Sequence, residues 1–348
     1  MKRRLQSLLL ATPLFEACCR LLTRGHVRAL MYHRFSGRAT DDSRFVDART
    51  LARQLDLIRA HHTPMTPDQH LASHAGGAAL PGPCPVVLTI DDGYRDVLEV
   101  AHPLLRERRL PAMLFMTTGL ADGPFWFWWD KIEYLVHEAQ AVVHELEVLG
   151  RAITLDLRTE AGRRQAWSDV ADRCRFADND EKLAAIGALS RDLGVGLPVD
   201  PPPHYGGVTW DELRGMVAEG LLVGAHTVTH PILSRVSQGD AESEIARSRA
   251  RLEEQLAQPV PWFCYPQGGP ADYTDELCRY LAEHGYRGSY LAYQITGHPG
   301  DPYRMPRYCV GPDEISFRWL MCGAEYLVRR LKSLFGLQPD ISPQYWQS

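Results

Sequence analysis

Short apolar runs alternate with amphipathic segments along most of the chain. Seven runs rich in β-branched or aromatic residues have the length of buried strands, and each ends in a turn or a polar cluster. They are residues 27–35, 86–90, 112–117, 221–225, 262–265, 288–292 and 305–310. Apolar residues at helical spacing recur between them, at 50–60, 97–109, 240–258 and 275–284. The alternation of strands and helices predicts an α/β fold of parallel βαβ units, a barrel or near-barrel rather than a short open sheet.

Residues 121–205 depart from this alternation. The region opens with a Trp-rich segment, PFWFWWDKIEYL, and continues through a charged stretch to a Pro-rich exit. It predicts a mostly helical insertion between barrel strands. We interpret Trp126, Trp128 and Trp129 as a hydrophobic anchor for the insertion, and a sugar-stacking platform is the alternative.

The barrel with its insertion is assigned to residues 27–317, between a basic N-terminal segment, 1–26, and a C-terminal helix and tail, 318–348. With 348 residues and 45% hydrophobic content, the chain can bury a core of that size. Its net charge of -5 provides no field that would gather nucleic acid, so we expect no nucleic-acid partner. A neutral or mixed-charge substrate fits this balance better.

The N-terminal region combines basic residues with a short apolar run. Its basic residues outnumber the single acid, Glu16, and are Lys2, Arg3, Arg4, Arg20, Arg24, Arg28 and Arg34. Pro13 and Glu16 interrupt the apolar run too early for a spanning helix or a signal peptide. A solvated helix is the simpler interpretation, and peripheral contact with the inner membrane face is the alternative. Eight scattered cysteines without a CxxC pair indicate reduced thiols and a cytoplasmic location.

Two adjacent acids follow the second predicted strand, in TIDDGY at 89–94. Side chains alternate along a strand, so Asp91 and Asp92 converge on one site only if the chain turns, and Gly93 allows that turn. The carboxyl end of a parallel strand is where α/β barrels carry their active sites.

Two histidines four residues apart follow a later strand, in HTVTH at 226–230. A helical turn after the strand would bring His226 and His230 to one side. Two neutral imidazoles and one carboxylate suit zinc, nickel or cobalt and leave positions for water and substrate. The sequence therefore predicts a divalent metal site, with zinc as the first expectation.

Together with FCYPQGG at 263–269, these motifs resemble, in order, three motifs of the polysaccharide deacetylases, the family with the NodB homology domain. The resemblance implies an irregular seven-stranded (β/α) barrel. It implies Asp91 as catalytic base and Asp92, His226 and His230 as metal ligands.

In the third motif, the resemblance places Tyr265, Pro266 and Gly268 at the substrate groove. Many members carry an arginine that steadies the catalytic aspartate, and this chain has Cys264 at that place. Arg304 and Arg307, in the late strand segment, are candidate replacements as the base tether.

The C-terminal leucine-x-histidine motif that supplies the general acid in many members does not follow residue 310. His33, at the end of the first predicted strand, is the favoured replacement, because the first and last strands of a closed barrel are neighbours. His298 is the alternative.

The predicted activity is metal-dependent hydrolysis of an N-acyl group, first of all N-acetyl, on an amino sugar of a polysaccharide, oligosaccharide or glycan precursor. One alternative is a deformylase or deacetylase of a lipid-linked sugar at the inner membrane face. Another is a carbohydrate-binding barrel without catalysis. No P-loop or GxGxxG motif indicates an organic cofactor.

Overall fold

The computed structural model describes residues 2–74, 78–293 and 300–335. The strands of this part are β1 (Arg28–Tyr32), β2 (Arg34–Ser36), β3 (Phe45–Asp47), β4 (Thr63–Pro64), β5 (Pro85–Ile90), β6 (Met113–Met116), β7 (Val143–Val148), β8 (Arg151–Asp156), β9 (Leu222–Ala225), β10 (Trp262–Cys264), β11 (Gly288–Tyr290) and β12 (Tyr308–Cys309). A curled parallel sheet has the order β11–β10–β9–β6–β5–β1–β12, with β4 beside β5.

The sheet is an irregular barrel. Strands β1 and β5 pair from Arg28↔Val86 to Tyr32↔Ile90, and a parallel bridge between Tyr290 and Met305 joins β11 to the segment that leads into β12. Each of the seven predicted strands contributes to this sheet, so the predicted fold class is confirmed. Strand β5 is buried along its whole length, as expected for a parallel sheet covered on both faces.

Two details of the sheet differ from the sequence prediction. The first predicted strand ends earlier, because the chain leaves the sheet after Tyr32 and β2 pairs with β3 in a separate two-stranded sheet. Strand β4 was not predicted, because a two-residue strand has no measurable alternation.

The α-helices of the described residues are α1 (Lys2–Leu10), α2 (Pro13–Leu22), α3 (Ala48–His61), α4 (Pro67–His74), α5 (His102–Arg108), α6 (Thr118–Asp122), α7 (Trp128–Glu138), α8 (Glu160–Cys174), α9 (Asn179–Leu193), α10 (Trp210–Ala218), α11 (Gln238–Leu256), α12 (Asp275–Glu283), α13 (Glu314–Met321) and α14 (Ala324–Leu334). A π-helical segment, Val97–Ala101, precedes α5, and short 3₁₀ helices cover Pro203–Tyr205 and Leu233–Arg235. The four predicted helical stretches all coincide with helices. Side-chain caps fix several starts; the Asp47 carboxylate, for example, accepts hydrogen bonds from the first turn of α3.

The insertion lies between β6 and β9, which are hydrogen-bonded neighbours in the sheet. It contains α7, α8 and α9, and the antiparallel hairpin β7–β8 adds a strand pair that the sequence pattern did not predict. The Trp167 indole donates a hydrogen bond to the Trp129 carbonyl oxygen, which ties α8 to α7. Trp126 and Trp129 are buried, the position expected of anchors rather than of an open stacking platform.

Helices from both ends of the described chain pack together at one end of the barrel. Leu10 and Cys19 share a small core with Cys322 and Ala324. Within the described residues, no single helix combines the length and apolar composition needed to cross a bilayer; the pair Arg3–Leu10 and Pro13–Leu22 meets both criteria only when taken together across a 94° bend. All eight cysteines are free thiols, as predicted.

Candidate active site

The acidic and histidine motifs meet at the carboxyl ends of neighbouring strands. Asp91 and Asp92 follow β5, and His226 follows β9; both strands pair with β6, which lies between them. Parallel strands end at the same edge of a sheet, so polar groups that follow them share one space. All of these side chains, and His230, are buried.

Asp92, His226 and His230 form a compact group of potential metal ligands. The Asp92 Oδ1 atom lies 3.7 Å from Nε2 of His226 and 3.6 Å from Nε2 of His230, and the ligand atoms are all within 4.8 Å of one another. Oδ1 of Asp92 is buried and, among the described residues, accepts no hydrogen bond. A buried carboxylate oxygen without a donor is costly, so this site fits a cation.

The tautomer of His226 fits a metal ligand. Its Nδ1 lies 2.8 Å from the carbonyl oxygen of Cys264. A carbonyl can only accept, so Nδ1 carries the hydrogen and the Nε2 lone pair points towards Asp92. Burial lowers the pKa of both His226 and His230, which keeps the imidazoles in the neutral form that binds metal.

A second group of potential ligands, Asp91, His226 and Cys264, overlaps the first. Burial raises the pKa of the Cys264 thiol well above its usual value, and the metal-binding thiolate is therefore disfavoured. The Asp91 carboxylate is already engaged by Arg307. Asp92, His226 and His230 are therefore the better ligand set.

The backbone is in left-handed conformations at both motifs. Asp92 has a φ of 74°, Gly93 of 97° and His230 of 58°. Non-glycine residues seldom adopt such angles, and those that do concentrate at functional sites. The turn expected at Gly93 is present, and any Cβ there would lie 2.1 Å from the Met116 sulfur.

The HTVTH segment is a non-helical turn, unlike the helical turn expected from the four-residue spacing. The Thr227 hydroxyl accepts a hydrogen bond from the His230 N–H at 3.0 Å. The Glu244 carboxylate, on α11, accepts hydrogen bonds from the N–H groups of Val228 and Thr229. This turn brings the two imidazole ring centroids to 4.7 Å from each other.

Arg307 holds Asp91 through a paired, buried contact. Its two terminal nitrogens donate to the two carboxylate oxygens at 2.7 and 2.6 Å. The guanidinium also donates to the Leu291 carbonyl oxygen, to the Thr89 hydroxyl and to the Cys264 sulfur. Burial alone would raise the pKa of Asp91, but the charge and hydrogen bonds of Arg307 outweigh it and hold that pKa below its usual range.

Arg304, the other candidate tether, lies elsewhere. Its guanidinium forms ion pairs with Asp301 and Asp275. Arg304 closes a turn in which its N–H donates to the Asp301 carbonyl oxygen, whereas Arg307 directly precedes β12. Only Arg307 enters the site.

His33 reaches the same carboxylate from the end of β1. Its Nε2 lies 3.8 Å from Oδ2 of Asp91, and its side chain is 23% exposed. Burial lowers the pKa of His33 to about 4, although the Asp91 charge acts in the opposite direction. The alternative acid, His298, lies outside the described residues.

The loop of the third motif contributes backbone rather than the ring of Tyr265. That ring is buried between Phe263 and Tyr273, with centroids 5.2 and 4.8 Å away, and its hydroxyl contacts the Cys278 sulfur. Tyr265 can therefore contribute its backbone, rather than its ring, to a substrate groove. Pro266 is also buried. Gly268 has a φ of 60°, and a Cβ there would be 2.6 Å from the Ala292 nitrogen, so the close approach of two chain segments requires glycine.

The insertion forms one wall of the metal site, which sequence reasoning missed. The Phe127 and Trp129 rings stand edge-on to the His230 imidazole, with centroids 5.5 and 5.0 Å away. The Trp129 indole N–H donates to the Tyr94 hydroxyl, and that hydroxyl donates to the buried Asp130 carboxyl at 2.7 Å. In the sequence, the position of Tyr94 directly after the DDG motif was the one indication of this hydrogen-bond network.

Comparisons with known proteins agree with this architecture. The sequence profile of the family described as polysaccharide deacetylase matches residues 181–289, which contain both histidines and the third motif. A search of curated proteins gives no match.

Solved structures with similar folds include bacterial deacetylases. The deacetylase PplD of Streptococcus pyogenes, solved with acetate, has a TM-score of 0.56 at 17% identity, over 85% of this chain and 97% of that one. IcaB from Ammonifex degensii has a TM-score of 0.53 at 20% identity, over 85% and 97%. A de-N-acetylase from Aggregatibacter actinomycetemcomitans has a TM-score of 0.52 at 15% identity, over 82% and 95%. These likenesses show the shared fold.

Proposed function

We propose that this chain, a member of the polysaccharide deacetylase family by its profile match over residues 181–289, removes an N-acyl group from an amino sugar. N-acetyl is the expected group, on a polysaccharide, an oligosaccharide or a glycan precursor. The observation that carries the proposal is a buried Asp–His–His group beside a carboxylate held by a buried arginine.

Asp92, His226 and His230 would hold a divalent ion, with zinc as the first candidate and nickel or cobalt as alternatives. Such an ion supplies Lewis acidity to the substrate carbonyl and lowers the pKa of a water bound to it. Among these three residues, the orphaned Oδ1 of Asp92 and the fixed tautomer of His226 are the features that suit it.

Asp91 has the properties of a general base. Arg307 keeps its carboxylate ionised and fixes its orientation, so the carboxylate can accept a proton from the attacking water without first reorganising. A strongly held carboxylate is a weaker base than a free one. Asp91 lies beside the potential ligand His226, so a metal ion held there would lower the pKa of the water that Asp91 serves and would offset this weakness.

His33 is suited to deliver a proton to the departing sugar amine. Its low pKa leaves the imidazole neutral in the resting site, so it can take up a proton from Asp91 and pass it on. A small movement of the partly exposed histidine, or one water, can bridge the distance of 3.8 Å between His33 Nε2 and Asp91 Oδ2.

The printed descriptions of two structural neighbours support the substrate class. PplD is a deacetylase that was solved with acetate, and acetate is the acid that deacetylation releases. The Aggregatibacter protein is a de-N-acetylase. Both proteins are related to this chain by fold alone, so the identity of the sugar has to be determined by an enzyme assay.

The decisive experiment is amine release from a panel of N-acetylated and N-formylated amino-sugar oligomers, measured together with metal content by mass spectrometry. We expect Asp91→Asn to retain bound metal and lose turnover, and His226→Ala to lose both. His144→Ala, on the β7–β8 hairpin, serves as a matched histidine control and should behave as wild type.

A carbohydrate-binding barrel without catalysis is separated by the same measurement. A barrel of that kind needs no base beside a metal group, so its affinity for sugar would survive Asp91→Asn and the wild-type protein would release no amine. Wild-type turnover in Asp91→Asn would overturn the assignment of the base.

A further inference from the structure

Helices α2 and α14 leave a group of large apolar side chains in contact with solvent. On α2 the exposed residues are Leu14, Leu21 and Leu22, and on α14 with its following residue they are Val328, Leu331, Leu334 and Phe335. We call this set the basal apolar surface. Leu14, Leu22 and Phe335 are 70%, 72% and 77% exposed. Scattered single leucines are ordinary on a protein surface, but a concentration of this kind marks an interaction site.

Each of the two helices has a second face that is already used in the fold. Cys19 of α2 and Ala324 of α14 lie in the small core at the end of the barrel, and Leu327 packs against it. The leucines at 14, 21 and 22 follow helical spacing on another side of α2, and those at 331 and 334 do so with Val328 on α14. The exposed apolar side chains therefore lie on a different helix face from those that form the core.

Basic side chains flank the basal apolar surface. Arg24 lies just after α2 and is exposed. Helix α14 carries Arg329, Arg330 and Lys332 against one acid, Glu325. This concentration contrasts with the net charge of -5 of the whole chain. Apolar side chains beside arginines and lysines match an interface of acyl chains and anionic headgroups.

Four residues of the basic N-terminal set are engaged within the protein. Arg3, Arg20 and Arg34 form ion pairs with Asp313, Glu16 and Asp96, and Arg28 is fully buried and donates to the Thr23 hydroxyl. Arg24 and Arg330 are exposed, and the ion pairs of the described residues include neither of them. Their positive charges can therefore contact an anionic partner.

The basal apolar surface lies at the end of the barrel opposite the active site. The Cys84 N–H, just before β5, donates to the Arg24 carbonyl oxygen. The His62 ring, just before β4, contacts the Met321 carbonyl oxygen at 2.9 Å. These contacts are at strand starts, whereas Asp91 and His33 follow strand ends. A six-residue strand such as β5 spans about 20 Å.

We propose that the basal apolar surface docks on an anionic lipid bilayer and holds the mouth of the barrel away from it. The inference does not depend on the proposed deacetylation, because it concerns a different end of the molecule. It favours a glycan that extends from the membrane, or a soluble one, over a sugar linked to lipid at the headgroup level.

Co-sedimentation of the full chain with vesicles tests the proposal, using phosphatidylcholine with or without phosphatidylglycerol. We expect binding only with the anionic lipid, weaker binding at high salt, and at least about tenfold weaker binding for the double variant Leu14→Asp/Leu21→Asp. Leu183→Asp/Val199→Asp is the matched control, since both residues are exposed on the insertion. It should bind as wild type.

Each contrary result overturns the proposal. These are wild-type protein that stays in the supernatant, unchanged binding of the α2 double variant, or a mass by light scattering that shows two copies joined through this surface. Thermal unfolding of both double variants controls for folding. Amine release from a soluble oligosaccharide, measured with and without vesicles, tests the orientation separately, and inhibition by vesicles would contradict a mouth that faces away.

Discussion

Arg307 and Asp91, 216 positions apart in the sequence, meet in a fully buried, two-pronged ion pair with N–O distances of 2.7 and 2.6 Å. The arginine comes from the segment that leads into the last strand of the barrel, and the aspartate from the end of β5. The same ion pair therefore joins the last strand segment to the end of β5 and orients the catalytic base.

Replacement of Arg307 should impair both turnover and stability. Arg307→Ala leaves a buried carboxylate without its counter-ion, which costs about 3–5 kcal/mol in comparable buried pairs. Arg307→Lys keeps the positive charge but cannot form the bidentate contact, so we expect an intermediate loss of turnover and stability. The free energy of unfolding in urea and steady-state amine release measure the two effects. Arg279→Ala, on the exposed side of α12, is the control and should change neither by much.

The pH dependence of the Arg307 variants has a defined sign. Arg307 holds the pKa of Asp91 below its usual range, and the base must be ionised to work. Without the guanidinium that pKa rises, so the acidic limb of the profile of kcat/KM against pH should move to higher pH in Arg307→Lys. An acidic limb that stays in place would mean that Asp91 is not the group that controls it.

His33→Ala should lower kcat while metal content stays at the wild-type level. Loss of a general acid in a site of this kind reduces turnover by about 10²–10⁴-fold. His137→Ala, on α7 and half-buried, provides a matched imidazole deletion. If His33→Ala turns over at the wild-type rate, His33 is not the general acid, and His298 becomes the next candidate.

Trp129→Phe should weaken metal binding. The substitution keeps an aromatic ring but removes the N–H that donates to Tyr94, so the support of the His230 ring becomes looser. Loss of outer contacts to metal ligands typically costs 10–100-fold in affinity, roughly the effect expected here. Competition with a chelating dye measures it. Trp128→Phe is the neighbouring control, since that ring packs against Lys182 instead.

Asp130 should make stability depend on pH between about 4 and 7. Burial raises its pKa from 3.8 to about 7, although Arg34 acts in the opposite direction. The folded state thus holds a proton that the unfolded chain has lost, and stability falls as pH rises through this range. The loss is at most on the order of 4 kcal/mol. Asp130→Asn should flatten the curve of unfolding free energy against pH, and an unchanged curve would contradict the shift.

The sequence was informative where local pattern determines the structure. Apolar runs marked the seven barrel strands, and DDG and HxxxH marked the residues that converge, since both follow strands whose ends share one edge. The conformation of the turn after His226 could not be predicted from the sequence. It depends on Glu244, a distant helix residue that fixes the backbone N–H groups.

The remaining parts of the site depend on contacts between distant segments. Arg304 and Arg307 are equivalent in composition, and only the direction in which the strand enters the barrel decides which one faces Asp91. Trp129 was correctly interpreted as an anchor, but its contact with His230 follows from how the insertion folds back over the mouth. The burial of the Tyr265 ring between Phe263 and Tyr273 likewise depends on a segment beyond the FCYPQGG motif, which contributes Tyr273.

The placement of the insertion has a consequence for the order of folding. Strands β6 and β9 pair directly, yet about a hundred residues separate them, so their pairing closes a long loop at an entropic cost. Asp92 precedes that loop and His226 follows it. The ligand group is therefore completed only when β9 has joined β6 across this loop. Metal that adds to the native state but not to earlier, partly folded forms would stabilise the last step of folding rather than guide the first.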